Sequence, residues 1–106
     1  MTSVHSARAT RFMTTLPALY RRSGDQGWKR GVTKDVSDTG VLFESGEQLP
    51  VESIIELTFH LPEKLGNLPA GQLTCLGKVV RHRAASEAVP PRSAARFLEL
   101  KSGPES

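Results

Sequence analysis

The stretch Ile54-Ile55-Glu56-Leu57-Thr58-Phe59-His60-Leu61 alternates apolar and polar residues with a period of two. In an extended strand successive side chains point to opposite faces, so Ile55, Leu57, Phe59 and Leu61 share one face and Glu56, Thr58 and His60 the other. This pattern predicts a strand with one face in a core and one in water. Shorter versions recur on both sides of it. Val32 and Val36 flank Lys34, Val41 and Phe43 share a face, Leu73 to Val80 is a longer β-like run, and Ser93 to Leu100 supplies the last. A strand over Phe12 to Tyr20 makes six. Pro17 has no N–H for a ladder, which places it at an edge or at a bend.

Turn chemistry separates these runs: Ser23-Gly24-Asp25, Asp38-Thr39-Gly40, Gly46-Glu47, Pro62 to Pro69, and Pro90-Pro91. Only Ala84 to Val89 reads as a short helix, stopped by Pro90. Six short strands with no crossover helices between them predict an all-β fold, an antiparallel sheet closed into a small barrel with at most one short helix. The chain of 106 residues is the length of one domain. The expected limits are a flexible segment at 1–7, the barrel at 8–100 and a flexible tail at 101–106.

With 38% hydrophobic and 24% charged residues, a mainly disordered chain is excluded. Glu56 and His60 interrupt the longest apolar stretch, far short of the ~18 residues of a membrane span, so no membrane insertion is expected. No apolar run follows Arg8 and Arg11, which predicts no secretory signal and a cytoplasmic location. The single Cys75 suits a reducing compartment. A net charge of +3 leans mildly toward an anionic partner.

Catalysis is not expected. His5, His60, His82 and Cys75 lack the short paired spacings of a zinc site. Ser37 and Asp35 with a histidine spell a hydrolase triad only on paper, because no strand-to-helix nucleophile elbow accompanies them. A barrel for single-stranded nucleic acid needs exposed aromatics along a basic groove. Here Phe43, Phe59 and Phe97 fall at core positions, leaving Trp28, Tyr20 and Phe12 as stacking candidates, and Trp28 also reads as a half-buried residue at a strand start. Nucleic acid is therefore an unlikely partner.

One constellation remains: Arg8 and Arg11 before the first strand, and Asp35-Val36-Ser37-Asp38-Thr39-Gly40 between two strands. Over nearly its whole length the chain resembles a PilZ domain, the bacterial receptor module for cyclic di-GMP. The family pattern has RxxxR entering the first strand and [DN]xSxxG ending the second. Asp35 to Phe43 matches the second element and its apolar continuation. Arg11 to Pro17 looks like the second arginine and its strand, Lys78 to Arg81 resembles the penultimate strand, and Ala94 to Leu100 is similar to the closing one. The chain departs from the pattern at Ala7, where the first arginine would stand, with Arg8 displaced by one residue.

The resemblance implies a six-stranded PilZ-like barrel, a non-catalytic receptor or adaptor in second-messenger signalling, and a site of Arg8, Arg11, Asp35, Ser37 and Gly40. It implies no cofactor and no metal, with cyclic di-GMP as ligand and a protein partner of unknown identity. The chemistry suits a cyclic dinucleotide. A carboxylate at Asp35 accepts from the N–H donors of a guanine edge, and the Ser37 hydroxyl donates or accepts. Arg8 and Arg11 offer forks for phosphate oxygens or guanine O6 and N7. Gly40 lets the backbone approach the ligand or take a positive φ. The plainer alternative stays open: Asp35, Ser37 and Gly40 shape a turn, the arginines are solvated, and the barrel is an adaptor that has lost the ligand.

Overall fold

The computed structural model describes residues 11–12, 14–84, 86 and 89–102. They form seven strands: β1 Arg11–Phe12, β2 Pro17–Arg22, β3 Lys29–Ser37, β4 Gly40–Ser45, β5 Ile54–Leu61, β6 Gly71–Arg83 and β7 Arg92–Ser102. Six of them close a ring, in the order β3-β2-β5-β6-β7-β4, with β4 pairing back to β3. Every pairing is antiparallel. The fold is the all-β, six-stranded barrel that the period-two runs predict, and closure removes the open edges that would otherwise seek another chain.

The seventh strand comes from the expected early strand, which the structure divides. β1 pairs with the end of β3, Arg11 with Ser37 and Phe12 with Val36. β2 takes the other half of the same edge, from Pro17 with Val32 to Tyr20 with Lys29. The break lies at Thr33, which is fully buried. Its Oγ1 donates to the carbonyl of Thr14 and accepts from the N–H of Leu16 at 2.8 Å, so a side chain here does the work of the ladder. Pro17 begins β2 rather than sitting on an edge strand. Its missing N–H costs least at a first residue.

A bulge between Thr33 and Asp35 shifts the alternation of β3. Thr33 and Val36 both face the interior, and Val32, expected to share a face with Val36, is instead half-buried on the outer side. β5 follows its pattern without a slip: Ile55, Leu57, Phe59 and Leu61 are buried and His60 is exposed. They join Tyr20, Phe43, Leu49, Leu73 and Val79 in one core. Each such side chain contributes about 1.5–3 kcal/mol of apolar burial. The rings of Tyr20 and Phe43 pack at 5.5 Å with a tilt of 52°.

The short helix expected over Ala84 to Val89 is absent from the described residues of that segment, Ala84, Ser86 and Val89. β6 runs on to Arg83, which pairs with Arg92, and the chain must reverse between them. Ser86 N–H donates to Val89 O at 2.8 Å and Val89 N–H to Ser86 O at 3.3 Å. The first of these bonds runs against the direction of a helix ladder, so Ser86 and Val89 pair across the reversal. β7 continues to Ser102, taking in Lys101 and Ser102 from the expected tail. Positions 1–10 and 103–106 lie outside the described residues.

Candidate functional site

The β3–β4 hairpin turns through Asp38 and Thr39, and Ser37 builds that turn. Its Oγ accepts from the N–H groups of Thr39 and Gly40, each at 3.2 Å, and lies 3.3 Å from the carbonyl of Gly40. The residue is only 6% exposed. Gly40 is needed for a reason the sequence does not show. It is not among the positive-φ residues. A Cβ on it would meet the carbonyl oxygen of Ala95 at 2.4 Å, so glycine here lets β4 lie against β7. Asp38 ties the turn to the β5–β6 loop, accepting from Asn67 N–H at 2.9 Å and from Asn67 Nδ2 at 3.3 Å. It stands where a Cβ on Gly66, itself at φ 56°, would lie 2.7 Å from Oδ1.

Beside this turn lies a cleft of about 120 Å³ that Asp35, Ser37 and Gly40 line together. Register explains how other strands reach it. Asp35 pairs with Leu42, Leu42 with Ala94, and Ala94 with Arg81, a row across β3, β4, β7 and β6. Two residues along β4, Gly40 pairs with Arg96 and Arg96 with Lys78. Arg81 and Arg96 thus enter the cleft wall opposite Asp35, and both are exposed. Neither was legible as a site residue, because strand register across a closed barrel brings them there from 41 or more positions downstream of Gly40. Of the two expected arginines, Arg11 is placed through its backbone beside Ser37, and Arg8 lies outside the described residues.

A second recess, of about 280 Å³, shares Leu42, Arg81 and Ala94 with the cleft and adds His82, Arg83 and Arg92. Arg92 is held by Glu44, through Nε and Nη2 at 3.1 Å each, and Lys34 lies 3.8 Å from the same carboxylate. On the inner side of this wall His82 and Ser93 pair in register. The Nδ1 of His82 and the Oγ of Ser93 are buried without a hydrogen-bond partner among the described residues.

The roomier grooves lie on the β2–β5–β6 side, with volumes of about 560 and 610 Å³, and are mainly apolar. Trp28, 39% exposed, is covered there by the Arg21 guanidinium, 4.3 Å from its ring centroid. Arg21 in turn reaches Glu56 at 2.7 Å. Tyr20, expected as a stacking candidate, is instead a core residue at 1% exposure. Its hydroxyl donates to Glu47 Oε2 at 3.2 Å, which satisfies its one polar atom. The sheet alternation that buries Leu57 across from Tyr20 and Phe59 across from Ala18 accounts for this placement.

Among the described residues no histidine lines the cleft with Asp35 and Ser37. Among the described residues no group of three or more His, Cys, Asp or Glu stands together to hold a metal, and no helix is long and apolar enough to cross a membrane.

In structure the chain is similar to the inhibitor of motility MotI/DgrA of Bacillus subtilis, with a TM-score of 0.71 and 14% identity over 89% of this chain and 43% of that one. It therefore spans less than half the length of that protein. No curated protein matches it in sequence. The PilZ domain family matches residues 6–105, nearly the whole length and both motif regions, and the chain belongs to the PilZ domain family.

Proposed function

We propose that this chain is a non-catalytic receptor for cyclic di-GMP, the ligand of its family, and that Asp35, Ser37 and Gly40, with Arg11 and Arg8 from the N-terminal segment, form its site. The observation that carries the reading is the cleft itself, which Asp35, Ser37 and Gly40 line together with the exposed Arg81 and Arg96. Asp35 takes the N–H donors of a guanine edge. The backbone of Arg11 pairs with that of Ser37, which supports assigning Arg11 to the same site. Ligand binding brings the arginine segment against the dinucleotide and so changes the surface offered to a protein partner. The work is regulatory and cytoplasmic. The neighbour MotI/DgrA, described as an inhibitor of motility, supports a regulatory output.

A specific observation favours a second reading, an adaptor without ligand. Ser37 Oγ is engaged in the turn, and Ala7 stands at the first arginine position. Calorimetric titration with cyclic di-GMP decides between them. The receptor reading expects saturable binding by the parent and at least tenfold weaker binding by Asp35→Ala at an unchanged melting temperature. A parent that does not bind gives the adaptor reading.

A further inference from the structure

We infer that Arg81 and Arg96 are ligand-binding cations, holding a phosphodiester of cyclic di-GMP against the barrel wall from β6 and β7; this rests on the receptor reading above. What sets the two apart is position: among the described residues Arg22, Arg30, Lys64, Arg83 and Lys101 are also exposed and without a carboxylate within 4 Å, but Arg81 and Arg96 alone line the cleft. Arg21, Lys29, Lys34, Lys78 and Arg92 each stand within 4 Å of a carboxylate. Arg81 and Arg96 make no such pair within the described residues, yet both are exposed and line the cleft of the Asp35–Gly40 turn. Guanidinium groups with no partner beside a concave surface are set for an anion that the protein does not itself provide.

The layout matches the chemistry of a nucleotide. Asp35 repels phosphate, so it serves the base. A guanine seated on Asp35 directs its ribose and phosphate away from that carboxylate, along the row Asp35, Leu42, Ala94, Arg81. Three strand spacings of roughly 4.8 Å separate the two ends of the row, about 14 Å in all. An arginine side chain reaching inward leaves a gap on the scale of one nucleoside. Gly40 and Ala94 keep that gap open, and Arg96 flanks it beside Gly40. The planar fork of arginine meets two phosphate oxygens at once. These cations also offset the arginine that Ala7 does not supply.

The test is calorimetric titration of the full chain with cyclic di-GMP. It compares the parent with Arg81→Gln, Arg96→Gln, the double variant, and Arg30→Gln as a charge control. Arg30 is exposed on β3 and lines the apolar groove, not the cleft. Arg81→Gln and Arg96→Gln are each expected to weaken binding about 10- to 100-fold. The double variant loses more than either, while Arg30→Gln stays within about twofold of the parent. Melting temperatures hold throughout, because neither arginine supports the fold. If the parent binds and the cleft variants behave like Arg30→Gln, the inference is wrong and the receptor reading stands. A parent that does not bind overturns both.

Discussion

Arg11 and Ser37 stand opposite one another in the pairing of β1 with β3. That pairing lays the arginine-bearing segment along the last residues of β3, two positions beyond Asp35. It brings two motifs separated by more than twenty residues side by side in the sheet. Among the described residues β1 pairs with β3 alone, and the buried hydroxyl of Thr33, bonded to Thr14 and Leu16, holds the chain as it returns toward β2.

Thr33→Val keeps the shape of that side chain and removes both bonds. The backbone groups of Thr14 and Leu16 then lose a buried partner, at a cost of about 1–3 kcal/mol. Urea denaturation is expected to show a lower midpoint with an unchanged slope, and cyclic di-GMP affinity should fall with it as β1 loosens. An unchanged midpoint would mean that the 14–16 connection is held by something other than this hydroxyl.

The strands were legible where burial repeats without interruption, as in β5, because period-two alternation is a local property of the chain. It failed where a single residue breaks the register. Nothing local announces that Thr33 and not Val32 faces the core, since both suit a strand and the bulge at Thr33/Asp35 is set by pairing with β4. Ala84 to Val89 misread for a related reason: its alanines favour helix, but β6 and β7 extend far enough to force a reversal there. The turn residues of the site were readable because they are contiguous. Arg81 and Arg96 were not, because only barrel closure sets β7 against β4.

Three substitutions at the turn separate packing from binding. Gly40→Ala drives a methyl group into the Ala95 carbonyl and is expected to lower stability by about 1–3 kcal/mol. Ser37→Ala removes an acceptor shared by two backbone N–H groups and is expected to cost ~0.5–1.5 kcal/mol. Asp35→Ala is expected to weaken binding with little change in melting temperature. Thermal denaturation of the three checks this order, and a stable Gly40→Ala would remove the packing explanation for that glycine.

The Lys29–Glu47–Tyr20 cluster gives stability a dependence on pH. The hydrogen bond from the Lys29 ammonium is the main cause holding the Glu47 carboxyl below its usual range. A depressed carboxyl contributes stability that is complete above its ordinary value of 4.5 and is lost as pH falls below it. At the alkaline end burial raises the Tyr20 hydroxyl, and the Glu47 hydrogen bond raises Lys29. Their contributions hold below the ordinary values near 10 and are lost as pH rises beyond them. Glu47→Gln should therefore lower the melting temperature modestly at pH 7, with the gap to the parent closing below pH 4.5 and shrinking in high salt. A gap that persists unchanged at acid pH would assign the effect to packing.

Burial pushes the Cys75 thiol up to about 12. The thiolate is the reactive form, so at pH 8 the folded protein should resist iodoacetamide while the urea-unfolded chain is alkylated at an ordinary rate. Mass spectrometry of timed samples reads both. Native labelling within about tenfold of the unfolded rate would show that β6 opens readily.

The departure at Ala7 permits the sharpest test of the arginine segment. The family pattern sets an arginine four residues before Arg11, and this chain carries one at Arg8 instead. Ala7→Arg combined with Arg8→Ala moves that charge by one residue and keeps the net charge of the parent. A charge-assisted hydrogen bond contributes roughly 1.5–3 kcal/mol, so correct spacing should tighten cyclic di-GMP binding about 10- to 100-fold in a receptor. Single variants then apportion the parent's affinity. If Arg8 already reaches the ligand from its displaced position, Arg8→Ala weakens binding about as much as Arg11→Ala, and the shifted variant gains little over the parent. If Arg8 is idle, Arg8→Ala is silent and the gain is full. Where the parent shows no binding at all, a shifted variant that binds no better adds that there is no site for the arginine to complete, and the barrel acts through protein contacts alone.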